Sequence, residues 1–191
     1  TAKRRSVGQP SDLANHLALV VMLKLHIADR NTLAGVVRAH EAARETDLKL
    51  VIGSEVVATN CGPLILLATD RAAYSRLSTL LTVGRRSAPK GECFLTRSDI
   101  EEHSAGLLAL AAAKHVTLKN AQPQGGAVSH EWLKDVFPDR CWMLAELHLG
   151  PNDAQRLEGW HELSKLTQIP LVAANDVHYH SRDRQQLHDV L

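Results

Sequence analysis

Short apolar runs alternate with stretches of helical periodicity along this chain, and that alternation limits its fold more than any single motif. Residues 24–28, 48–52, 141–147 and 169–174 read as strands, the second stopped by Gly53, and 106–111 is a strand candidate whose alanines leave helix open. Residues 55–58 and 64–68 flank Asn60-Cys61-Gly62-Pro63 as a hairpin. Between these runs lie helix entries. Pro10-Ser11-Asp12 opens a helix to about Leu23, and Asn31 or Thr32 caps one to about Glu45. Asp70 opens a helix through Leu81, and Thr96-Arg97-Ser98-Asp99 starts a short one. Ser129 and Pro151-Asn152-Asp153 open two more, through about Phe137 and Thr167, and Ser181 begins a last one. Residues 84–91 (GRRSAPKG) read as a basic loop, and residues 114–128 are the least regular part. Strand–helix alternation predicts an α/β fold with a mainly parallel sheet, in one domain spanning 1–191.

Composition narrows the chemistry. With 22 basic and 21 acidic residues the net charge is +1, so nothing draws the whole surface toward nucleic acid or membrane. No apolar run approaches the length of a membrane span. Cys61, Cys93 and Cys141 are odd in number and widely spaced, which argues against a disulfide framework and for thiols in a reducing cytosol. Thr1–Arg5 is basic but precedes no signal-peptide core, and reads as a cut or a variant start. There is no Walker loop, no Gly-x-Gly-x-x-Gly and no Gly-x-Ser-x-Gly.

The segment that points to a site is Pro170 onward, where an apolar run ends in Asp176-Val177-His178-Tyr179-His180. On a strand, residues 176, 178 and 180 project to one side, so Asp-x-His offers an oxygen and an imidazole to one divalent ion. The plain alternative makes Asp176 a helix cap and the histidines surface residues. Other strand ends carry Asp29-Arg30-Asn31, Gly53-Ser54-Glu55 and Glu146-Leu147-His148. In a barrel such ends meet on one face. Asp29 reads equally well as the cap of the next helix, and Glu146 and His148 as partners of neighbouring side chains.

The wording of six segments goes further. DRNTLAGVVRAHE (29–41), LVIGSEV (50–56), residues 63–71, RRSAPKGE (85–92), AELHLGP (145–151) and VAANDVHYH (172–180) stand in this order. Together they resemble the polymerase-and-histidinol-phosphatase (PHP) domain at the N-terminus of bacterial C-family DNA polymerases, nearest the error-prone branch. The resemblance implies a distorted seven-stranded β/α barrel, here lacking its first strand. It implies a parent enzyme that copies damaged template with Mg²⁺, working on DNA in the bacterial cytoplasm in damage-induced repair and translesion synthesis. The domain would brace the palm and thumb of the same chain, with a sliding clamp and damage-response proteins as further partners.

The metal site of active relatives carries over only in part. Glu55, Asp176 and His178 match ligand positions. Arg30 stands where a histidine ligand is expected, Pro63 replaces another, and a cysteine or histidine is lost near Ala112 or Ala113. No His-x-His stands ahead of Ser6. Three ligands could hold Zn²⁺ or Mn²⁺ weakly, and a bidentate Arg30 facing Glu55 and Asp176 could balance their charge instead. The expected role is therefore structural, with no catalytic residue of its own. An active phosphoesterase or 3′–5′ exonuclease, or a stand-alone phosphatase of the histidinol-phosphate type, are the alternatives.

Overall fold

The computed structural model describes residues 24–46, 49–118, 126–148 and 150–174. The helices expected over 10–23 and from Ser181 lie outside them.

Eight strands and five helices make up the described fold. Strand β1 (Lys24–Ile27) is followed by helix α1 (Val36–Arg44), then by strands β2 (Lys49–Val56) and β3 (Leu64–Ala68). Helices α2 (Arg71–Arg86) and α3 (Arg97–His103) lead to β4 (Leu107–Ala112). A two-strand ribbon, β5 (Val116–Thr117) with β6 (Val128–Ser129), precedes α4 (His130–Val136). Then come β7 (Cys141–Glu146), α5 (Asp153–Thr167) and β8 (Leu171–Ala174).

Six strands form one sheet in the order β1-β2-β3-β4-β7-β8. The sheet is mixed. Strands β1–β2, β4–β7 and β7–β8 pair in parallel, while β3 runs against both its neighbours. The expected hairpin accounts for this, because β2 turns directly into β3 instead of crossing over through a helix. The C-terminal ends of β1, β2, β4, β7 and β8 therefore share one edge with the start of β3. This edge is here called the mouth.

Local chemistry explains the starts of two helices. Asp70 is extended and its carboxylate accepts from the Ala73 N–H at 2.7 Å, satisfying an orphan donor of α2. Helix α2 then buries Ala73, Leu77, Leu80, Leu81 and Gly84, a helical stripe against the sheet. Thr96 and Asp99 close a capping box at α3. Strand β4 alternates, with Leu107, Ala109 and Ala111 inward. The core lies between the sheet and α2–α4, around Leu64, Leu66, Leu77, Leu80, Leu107, Phe137 and Met143.

Three boundaries differ from the sequence reading. Strand β2 runs through Gly53 to Val56. A methyl at Gly53 would press on Leu67 Cδ2 and lie 2.7 Å from the Leu66 carbonyl oxygen, so glycine here serves close strand packing and not a stop. Helix α2 continues past Leu81 to Arg86, which moves Gly84, Arg85 and Arg86 out of the expected loop. The N-cap of α1 is Gly35 and not the expected Asn31 or Thr32, nor is it Asp29. The Asp29 carbonyl instead accepts from the Glu55 N–H and the Ser54 hydroxyl.

Candidate functional site

The mouth is organised by the turn that follows β1. Arg30 and Glu55 form a parallel bridge, with Glu55 N–H donating to Asp29 O at 3.2 Å and Asn31 N–H to Glu55 O at 2.8 Å. Bridged residues of parallel strands project to the same side, so the two side chains meet. The guanidinium Nε of Arg30 lies 3.7 Å from Glu55 Oε2. This is one long contact to Glu55; Asp176, the other carboxylate expected to face Arg30, lies outside the described residues. The Arg30 side chain remains 67% exposed, so water screens the pair.

Ser54 faces the other way and is fully buried. Its hydroxyl donates to Asp29 O at 2.8 Å and accepts from Thr32 N–H at 3.2 Å. Asn31 sits at a left-handed φ of 51°, a conformation asparagine tolerates better than most residues. Its side-chain Oδ1 accepts from Val57 N–H at 3.2 Å. The turn is thus tied to the end of β2 from both faces.

A second cation–carboxylate pair stands on the far side of β3. Lys114, in the short 3₁₀ turn after β4, places Nζ 3.0 Å from Oε2 of Glu146, the last residue of β7. Glu146 is only 14% exposed, so this pair is the less hydrated of the two. Each pair spans a junction of parallel strands, β1–β2 in one case and β4–β7 in the other. The sequence pointed to Glu146 as a partner of a neighbour. It gave no signal for Lys114, whose position depends on the tight turn after β4.

Of the expected ligands, Glu55 is at the mouth, while Asp176 and His178 lie outside the described residues. Pro63 and Ala112 border the same edge and have no donor atom to offer a metal. No group of three or more His, Cys, Asp or Glu side chains is placed to hold a metal among the described residues. Other candidates are committed elsewhere: the ring nitrogens Nδ1 of His103 and His130 hydrogen-bond to the carbonyls of Asp99 and Thr117. Burial raises the Cys61 thiol to about 11, against the opposing pull of Arg97, and also raises those of Cys93 and Cys141. None of the three offers a thiolate at neutral pH. A concavity of about 300 Å³, lined by Lys134, Cys141, Trp142, Gln168 and Pro170, opens at the opposite end of β7 and β8. It does not include the mouth.

A mixed α/β sheet with polar strand ends gathered at one edge is an arrangement that fits many chemistries, and the family comes from comparison with known proteins. The model of the PHP domain matches residues 4–143, and the chain belongs to that family. It is 40% identical over 188 residues to the error-prone DNA polymerase of Dechloromonas aromatica, covering 98% of this chain and 18% of that protein. With the error-prone DNA polymerase of Rhodopirellula baltica it shares 39% identity over 188 residues, 95% of this chain and 16% of the relative. The Methylococcus capsulatus error-prone DNA polymerase is 40% identical over 187 residues, with 98% and 17% covered. The chain thus spans less than a fifth of the length of these curated relatives. Among solved structures, a Bifidobacterium adolescentis protein proposed to be a metal-dependent phosphoesterase superposes with a TM-score of 0.53. That match covers 91% of this chain and 83% of the other at 15% identity, a likeness of fold alone. No helix among the described residues is long and apolar enough to cross a membrane.

Proposed function

We propose that this chain is a single PHP module, residues 1–191, from the N-terminal part of an error-prone DNA polymerase, and that it braces the polymerase instead of hydrolysing phosphoesters. Identity of about 40% along nearly the whole chain to three error-prone polymerases supports the parentage. The parent extends a primer across damaged template with Mg²⁺ held by carboxylates outside this chain. Palm and thumb are the module's partners, with DNA, a sliding clamp and damage-response proteins reached through the whole polymerase in the cytoplasm.

The contact between Arg30 and Glu55 carries the architectural reading. A permanent cation stands beside the carboxylate that would otherwise face a metal, and it cannot coordinate. Lys114 and Glu146 repeat the device across β3. A metal-dependent phosphoesterase or 3′–5′ exonuclease would need Asp176, His178 and several further ligands gathered around Glu55.

Metal analysis separates the two readings. After loading with Zn²⁺ or Mn²⁺ and gel filtration, the chain should retain well under one ion per molecule. Retention of one or more tightly bound ions, lost in Glu55→Gln, would overturn the architectural reading.

A further inference from the structure

The basic segment 84–91 divides its cations between different tasks. Arg85 lies in the last turn of α2, where a positive charge is favoured by the helix dipole. Its guanidinium does more than neutralise that end. Nε and Nη2 both donate to the Asn31 carbonyl, at 3.2 and 2.8 Å. Nη1 donates to the Gly91 carbonyl at 3.1 Å and is 3.4 Å from that of Glu92. One side chain thus joins three backbone segments: the end of α2, the loop returning from it, and the turn that carries Arg30.

We infer that Arg85 is the positioning residue of the mouth: it holds the Asn31 turn in place and thereby sets Arg30 against Glu55. The loop on its other side is firm enough to serve as an anchor. Ser87 N–H and Oγ both donate to Val83 O, Glu92 N–H donates to Pro89 O, and Phe94 N–H returns to Gly84 O. Beyond its own bonds to β2, the turn has this one tie to α2. Asn31 sits at positive φ, and its carbonyl is the group that the guanidinium engages twice. A planar fork with five donors can reach carbonyls on two sides at once, whereas an ammonium supplies one point of charge. The same charge without the fork would satisfy the helix dipole and leave the turn with only its bonds to β2.

This inference rests on the architectural reading for the purpose of the pair, but its test does not depend on metal. Hydrogen–deuterium exchange is followed on the full chain in wild type, Arg85→Gln and Arg85→Lys. Residues 29–34 and 54–58 report the mouth, 84–93 the anchor loop, and 64–68 the core. Both variants should raise exchange at 29–34 and 54–58 by about tenfold, the size expected for losing hydrogen bonds to a charged group, with 64–68 unchanged. Wild-type protection in Arg85→Lys would overturn the inference, since charge alone would then suffice. A change confined to 84–93, or a uniform rise that includes 64–68, would overturn it as well. Stoichiometric metal in the wild type would end the architectural reading and leave the exchange result standing.

Discussion

Around β3 the side chains of Leu64, Leu66, Leu77, Leu80 and Leu107 are wholly enclosed, whereas at the mouth Arg30 keeps two-thirds of its surface in water. The first region is held by burial, worth about 1.5–3 kcal/mol for each large apolar side chain. The second is held by hydrogen-bonded turns and by two ion pairs, each worth at most about 1 kcal/mol where exposed. The two regions share strands but not their source of stability. Side chains at the strand ends can therefore change while the sheet beneath persists.

The strongest challenge to that contrast is Leu77→Ala. The residue is fully buried on α2 facing the sheet, and truncation should cost about 2–5 kcal/mol in denaturant unfolding through lost burial and a residual cavity. A loss under 1 kcal/mol would mean that the apolar layer is not what carries the fold.

A smaller effect belongs to the α3 cap. Thr96→Ala should cost about 1 kcal/mol, measured the same way. Asp99 accepts from both the hydroxyl and the N–H of Thr96, at 2.7 Å each, and these bonds hold its carboxyl below the usual range. Its contribution is complete above the unfolded-state pKa of about 3.9 and fades as pH falls through the lower folded value. Asp99→Asn should therefore flatten stability against pH only in that acid window. Unchanged acid behaviour in the variant would sink this assignment.

The smallest effects lie at the mouth. Lys114→Met and Arg30→Met should each shift stability by under about 1 kcal/mol, with the larger loss at Lys114, whose partner is less hydrated. In 1 M salt, where the screening length is about 3 Å, the difference between Arg30→Met and wild type should vanish. A loss of several kcal/mol from either would erase the contrast between the two regions.

Many element positions were legible because they are written in local sequence. The helix starts at Asp70 and Thr96 follow from neighbours in sequence, whereas the buried stripe of α2 and the alternation in β4 emerge only with the sheet in place. Gly53 misled because its role depends on Leu66 and Leu67 of the next strand, which no local rule contains. Glu55 was legible by resemblance, and Arg30 as the residue set beside it. Ser54, Lys114 and Arg85 were not. Each acts through a backbone carbonyl or carboxylate more than 20 residues away, reached only after β2, β4 and α2 are in place.

The reversal of β3 also orders the entropic demands of assembly. Val56 pairs with Leu64 across a short turn, whereas pairing Leu64 with Ala111 must close a loop about sixfold longer. For a flexible chain that difference amounts to about 1.5 kcal/mol against the second pairing. Helices α2 and α3, which lie within the longer loop, shorten it as they form. The hairpin is thus less costly to close than the pairing of β3 with β4 at the centre of the sheet.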